Sequence, residues 1–163
     1  MNNNMLKKTK LLIISDRYPH EKDTISSSFV KSQVDILKKY FEKIYVISLT
    51  PFVPKYLSKF PFMNPRWQRD AFASNYKYDN VEVYFAKHIV FPFNFSRQKR
   101  GDMAIKVVNK IIKKYNINFD LIHAHFTYPS GYVAAKLKDN VSPKEKKRRW
   151  LVLDKLINKK NLI

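Results

Sequence analysis

Short apolar runs separated by amphipathic segments constrain the fold of this chain most strongly. KLLIIS (residues 10–15) and KIYVIS (residues 43–48) are continuous apolar runs with polar ends, a pattern typical of strands buried in a parallel sheet. Between them, residues 29–41 repeat apolar side chains at a helical period, with charged side chains on the other faces, which predicts a helix that ends near residue 40. Strand, helix and strand together take about 40 residues, which predicts a βαβ crossover.

The same alternation continues through the second half of the chain. The further elements predicted are a strand at 81–86, a helix at 98–115, a strand at 119–125 and a helix at 129–138. Strands that alternate with helices favour an α/β fold: a single Rossmann-like open, mainly parallel sheet with helices on both faces.

Three segments divide the chain. Residues 1–9 are polar and basic and are expected to be disordered, and residues 10–138 form the Rossmann-like domain. Residues 139–163 carry 8 Lys and Arg against 3 Asp and Glu. This basic tail is either a short amphipathic helix suited to an anionic membrane surface, an unstructured tail, or an abnormal read-through end. Within the domain, the proline- and aromatic-rich residues 50–78 form either a packed insertion or a lipid-contacting one.

Composition excludes several classes of function. The only glycines are Gly101 and Gly131, too few and too far apart for a dinucleotide-binding fingerprint or a Walker A loop. The absence of cysteine excludes disulfides, zinc–thiolate sites and cysteine nucleophiles. No apolar run reaches the roughly 18 residues of a membrane span, and residues 11–14 are too short for a signal-peptide core. We expect a cytoplasmic protein without a cofactor.

The net charge of +19 favours an anionic partner: a membrane surface, a phosphorylated ligand or nucleic acid. An AT-rich coding sequence, which enriches Lys, Asn, Ile and Tyr, explains the same charge without any partner. Nucleic acid is the least favoured partner, because the sequence contains no recognised nucleic-acid motif and its lysines are spread over many faces.

DLIHAHFTYPSGYVAAKL, residues 120–137, is the most informative segment for function. Open α/β sheets bind ligands at the carboxyl ends of their strands, and this strand ends in histidines and a turn. His125 is the candidate catalytic residue, because a neutral imidazole can orient a hydroxyl; the alternative is a histidine that caps backbone groups. His123 points to the same side of the strand, but a zinc site needs a third ligand. The other two histidines, His20 and His88, are expected in unrelated loops, so no metal is expected.

Other candidates lie near the same edge. Arg17 follows the first strand beside Asp16 and either contacts a phosphate or forms a surface ion pair. Ser27, Ser28 and Phe29 begin the first helix, where free N–H groups bind an anion or are simply capped. The turn residues that either contact an acceptor or only form the turn are Tyr128, Ser130 and Gly131.

Four segments together carry a family resemblance. KLLIISDRYP, SSSFVKSQVDILKKYFEKIYVIS, VEVYFAKHIVFPF and DLIHAHFTYPSGYVAAKL occur in the order found in the N-terminal domain of family-four-type glycosyltransferases, which have the GT-B fold. The resemblance covers residues 10–138. It implies retaining transfer of a sugar from a nucleotide-sugar to a glycan or lipid-linked acceptor, with the acceptor received mainly by this domain. His125 matches the family histidine beside the acceptor and the reacting sugar.

The chain departs from that family in two ways. The family carries glycine where Ser27 and Ser28 stand, so close approach of the donor diphosphate is altered. No donor domain with an E-x7-E pair follows, since the four glutamates are Glu21, Glu42, Glu82 and Glu145.

The missing donor domain predicts a chain that is inactive alone. Separately, the positive charge makes a peripheral contact with the inner membrane face an alternative to a purely cytoplasmic location. The alternatives are half of a split glycosyltransferase, or a non-catalytic basic module that binds an anionic membrane surface or nucleic acid.

Overall fold

Strands and helices alternate along the described part of the chain. The computed structural model describes residues 8–21, 28–52, 72–88 and 99–139. The elements are β1 (Lys10–Ser15), α1 (Ser28–Leu37), β2 (Lys43–Pro51), β3 (Tyr76–Tyr78), β4 (Val81–His88), α2 (Arg100–Lys114), β5 (Leu121–His125), a π turn (Thr127–Gly131) and α3 (Tyr132–Asp139). The predicted tail, nearly all of the predicted disordered N-terminus and most of the 50–78 insertion lie outside the described residues.

The five strands form one sheet in the order β3-β4-β2-β1-β5. β4, β2, β1 and β5 are parallel, and β3 is antiparallel to β4 at the sheet edge. The mainly parallel, Rossmann-like sheet that the sequence predicted is therefore confirmed. The order of the parallel strands reverses between β1 and β5, which is the topological switch point where such sheets bind ligands.

Helices cover both faces of the sheet. Ile13 of β1 is fully buried in a cluster with Val30 and Val34 of α1. The next residue, Ile14, points to the other face and is buried with Val108 of α2 and Val133 of α3. Successive strand residues face opposite ways, so an unbroken apolar strand supplies both layers at once. This confirms the predicted helices on both faces.

Several element boundaries differ from the predictions. β4 extends to His88 rather than ending at residue 86, because Thr50 and Pro51 of the equally extended β2 pair with it. α1 ends at Leu37 instead of near residue 40. The segment 129–138 is not one helix, since a π turn precedes α3. β3 was not predicted at all.

Side chains of β3 and of the turn between β3 and β4 hydrogen-bond the loop after β1 and the residues that follow α1. The hydroxyls of Tyr18 and Tyr78 are 2.6 Å apart, and the Tyr76 hydroxyl donates to the Pro19 carbonyl at 2.8 Å. The Asn80 amide nitrogen lies 2.8–3.3 Å from three carbonyl oxygens after α1, those of Lys38, Phe41 and Glu42. These bonds satisfy carbonyls in the connection between α1 and β2.

Candidate functional site at the carboxyl edge of the sheet

A row of polar residues ends the central strands on the α1 face. Ser15 of β1 pairs in register with Ser48 of β2 and with His125 of β5. Partners in parallel register point to the same face, and this face is the one that α1 covers. The Phe29 ring of α1 meets the His125 ring edge-on, with 6.2 Å between ring centroids. We call Ser15, Phe29 and His125 the β1–β5 site; it lies at the switch point.

His125 is buried with an unsatisfied nitrogen. The residue is 7% exposed, and its Nε2 has no hydrogen-bond partner within the described residues. Burial, with a further contribution from His123, whose ring lies 4.4 Å away, lowers the pKa of His125 to about 4. At neutral pH the imidazole is therefore neutral, and its Nε2 can hydrogen-bond a ligand hydroxyl.

The turn after β1 is closed by Ser15. Its hydroxyl donates to the Arg17 carbonyl at 2.6 Å and accepts the Arg17 N–H at 3.2 Å. The Arg17 residue is exposed and forms no ion pair in the part of the chain that the structure describes. The predicted Arg17 ion pair is therefore not seen there, and phosphate binding by Arg17 stays a prediction.

The start of α1 lies beside His125, as the Phe29 contact shows. Ser28 is the first helical residue, and Ser27 lies outside the described residues. The first turn of α1 contains no acidic residue, so no carboxylate there offsets the positive end of the helix dipole. Anion binding and N-capping by Ser27 and Ser28 both stay predictions.

The loop after β5 holds the three predicted acceptor-binding residues. The Tyr128 hydroxyl accepts the Gly101 N–H at 2.9 Å, which ties the loop to the start of α2. The Gly131 N–H donates to the Phe126 carbonyl at 3.1 Å and closes the turn. Ser130 is fully buried, and its Oγ has no hydrogen-bond partner among the described residues. Tyr128 and Gly131 thus have structural roles, and acceptor binding by all three stays a prediction.

A second polar group lies at the same edge on the α2 face, and the sequence did not predict it. Arg100 of α2 donates to Asp16 after β1 at 2.6 Å and to His88 Nε2 at 3.3 Å. The His88 Nδ1 lies 3.2 Å from the Ala86 carbonyl. Burial and the nearby guanidinium lower the pKa of His88, which is 1% exposed.

The expectation that His88 lies in an unrelated loop is wrong, because His88 ends β4. Its period-two spacing from Tyr84 and Ala86, both buried on the α2 face, is the sequence signal that places it on the strand.

No protein-family model matches the chain, and no curated protein matches it. Within the described residues, no group of three or more histidine, cysteine or acidic side chains is arranged to hold a metal ion. Nor does the described part of the chain include a helix long and apolar enough to cross a membrane.

Proposed function

We propose that this chain is the acceptor-side domain of a glycosyltransferase that moves a sugar from a nucleotide-sugar to a glycan or lipid-linked acceptor. The observation that carries the proposal is His125: a neutral, buried imidazole with an unsatisfied Nε2 at the switch point of the sheet. Since a buried polar group without a partner is costly, one retained at a ligand-binding edge suggests that a ligand supplies the partner.

In the proposed mechanism, the His125 Nε2 hydrogen-bonds a hydroxyl beside the reacting centre and fixes its orientation. A neutral imidazole suits this role, because it can accept or donate a hydrogen bond without placing a positive charge beside the sugar. Tyr128, Ser130 and Gly131, which follow β5, form the acceptor side of the site.

The donor diphosphate is proposed to lie near Arg17 and the first residues of α1, Ser28 and Phe29, with Ser27 of the preceding sequence as a further candidate. Support comes from the exposed Arg17 and from an α1 first turn without acidic residues. The rest of the donor site, including the paired glutamates, is proposed to come from a second domain or a separate chain. The chain alone is therefore expected to bind an acceptor without transferring sugar.

The experiment measures glycan binding to the full chain by ligand-observed NMR, with panels of soluble glycans and lipid-linked saccharides. Wild type is compared with His125→Gln and with a matched control, His88→Gln, which changes the same residue type on the opposite face. Loss of one ligand hydrogen bond weakens binding about tenfold. That loss is expected for His125→Gln only. UDP- and GDP-activated sugars are added in parallel, and no turnover is expected.

Two results would contradict this proposal. One is that no glycan in the panel binds, or that the bound glycan is held equally well by wild type and His125→Gln. The other is robust sugar transfer by the purified chain alone, which would show that the donor site is already complete.

A further inference from the structure

Lysines on the two faces of the sheet differ in how many of them form ion pairs. On the α1 side, Lys31 lies 2.7 Å from Asp35, and Lys38 lies 2.8 Å from Asp79. These lysines are therefore paired with carboxylates of the same layer and the adjoining turn. The positive charge of Lys31 and Lys38 is therefore largely offset by these neighbouring carboxylates.

Lysines of α2 form a stripe that faces away from the sheet. Lys106, Lys110 and Lys113 recur at intervals of four and three residues and are all exposed. Ala104 and Val108, on the opposite side of the helix, are fully buried against the sheet. This geometry directs the three ammonium groups outward together.

The stripe continues onto neighbouring positions. α3 shares the same buried cluster as α2 and adds the exposed Lys136, and Lys114 adds another ammonium group at the end of α2. We call Lys106, Lys110, Lys113, Lys114 and Lys136 the lysine surface. In the described ranges none of the five forms an ion pair. The one carboxylate in the sequence of α2, Asp102, accepts the Tyr132 hydroxyl at 2.6 Å.

We propose that the lysine surface docks this domain on an anionic membrane surface. Five ammonium groups on two adjacent helices give a one-sided positive field, which complements a layer of anionic lipid headgroups. Tyr128, whose hydroxyl accepts the Gly101 N–H at the start of α2, is 43% exposed and adds an aromatic ring of the kind found at membrane interfaces.

A membrane fits this surface better than nucleic acid does. Arginine is the side chain that binds phosphates and base edges bidentately, and the lysine surface contains none. The nearest arginine on α2, Arg100, is engaged by Asp16 and His88. Lysine ammonium groups act as point charges, so they suit a surface that presents charge without a fixed pattern.

The test is co-sedimentation of the full chain with phosphatidylcholine vesicles that contain or lack phosphatidylglycerol. Each lysine near an anionic surface contributes about fivefold to binding, so K106Q/K110Q/K113Q is expected to bind about 100-fold more weakly. K106R/K110R/K113R keeps the charge and is expected to bind like wild type. Added salt is expected to release the protein, since screening acts within about 10 Å at 0.1 M salt.

The matched control is K31Q/K38Q/K39Q, which removes the same number of charges from α1 and the turn that follows it. It is expected to weaken vesicle binding far less, and thermal melting verifies that each variant is folded. The proposal is overturned if both glutamine triples lose binding equally, or if wild type ignores anionic vesicles. A third result would also overturn it: wild type binds an RNA or DNA duplex more tightly than vesicles, and K106Q/K110Q/K113Q loses that binding. Because no glycan or nucleotide-sugar is used, this result is independent of the proposed transferase role.

Discussion

Two histidines end parallel strands of this sheet, and their surroundings differ in one respect. His88 and His125 are both buried, and burial lowers the pKa of each. Both ring nitrogens of His88 have partners, the Ala86 carbonyl and the Arg100 guanidinium. The Nε2 of His125 has none within the described residues. The same residue type at the same edge is thus satisfied on the α2 face and unsatisfied on the α1 face.

This difference separates a structural histidine from a candidate functional one. A fully bonded buried group stabilises the fold, whereas an unsatisfied one costs stability until something binds it. Burial alone does not make the distinction, since both histidines share it. The two histidines are distinguished by whether their ring nitrogens have hydrogen-bond partners. Substitutions at the two positions should therefore have different consequences for stability.

The largest effect on the free energy of unfolding is expected at Arg100, which hydrogen-bonds both Asp16 and His88. Arg100→Met leaves Asp16 without its guanidinium partner and His88 Nε2 without a donor, and should lower the free energy of unfolding by about 3 kcal/mol. Urea unfolding followed by circular dichroism measures it. The control, Arg17→Met, changes an exposed arginine and should stay within about 0.5 kcal/mol of wild type. Equal effects would mean that the Arg100 bonds add nothing to stability.

The two histidines can be compared directly by the same substitution. His88→Leu leaves the Arg100 Nε–H without its acceptor and should cost about 2 kcal/mol, while His125→Leu removes an unsatisfied group and should be neutral or gain about 0.5 kcal/mol. The expected difference of about 2 to 2.5 kcal/mol between the two variants is read from paired urea unfolding curves. If His125→Leu destabilised as strongly as His88→Leu, the distinction between the two sites would be wrong.

Acid should affect His125 in a predictable direction. Its folded pKa of about 4 lies below the ordinary value of 6.5, so the unfolded chain binds a proton first. Stability is therefore intact above about pH 6.5 and falls as the pH drops toward 4. Between about pH 7 and about pH 5, this residue should remove about 2 kcal/mol from the free energy of unfolding.

The measurement is urea unfolding over that pH range for wild type and His125→Leu. Other titrating groups, His88 included, act in both proteins and cancel in the difference. Parallel pH profiles for the two proteins would show that the His125 pKa is not lowered.

The smallest effect is expected at the loop after β5. Tyr128→Phe removes the acceptor of the Gly101 N–H at the start of α2 and should cost about 1 kcal/mol. Tyr132→Phe is the matched control, because its hydroxyl bonds the exposed Asp102 and should contribute less. Thermal melts of the two variants rank them, and a larger loss for Tyr132→Phe would contradict the structural role of Tyr128.

Elements with strong local signals were predictable. β1 begins and ends at the predicted residues, because KLLIIS is apolar throughout and polar residues bound it. β3 was missed because Tyr76–Tyr78 is three residues long and contains an exposed lysine. Its position depends on long-range partners, including Tyr18 and β4, which no short window of sequence reveals.

The site was only partly predictable, for a similar reason. The rule that ligands bind at the ends of parallel strands was enough to place His125 beside the start of α1. Whether the ring nitrogens of a histidine have hydrogen-bond partners depends on residues elsewhere in the chain. Arg100, for example, donates to the Nε2 of His88. The lengthening of β4 to include His88 depends likewise on pairing with β2.

The carboxamide of Asn80 has a consequence for how this domain opens. From the β3–β4 turn, the carboxamide bonds carbonyls in the connection between α1 and β2, and so joins two turns that are separate in sequence. Neither turn can open without breaking bonds to the other, so amide hydrogen exchange should report the same opening free energy for both. Asn80→Ala would uncouple them, and the protection of each would then report its own local stability.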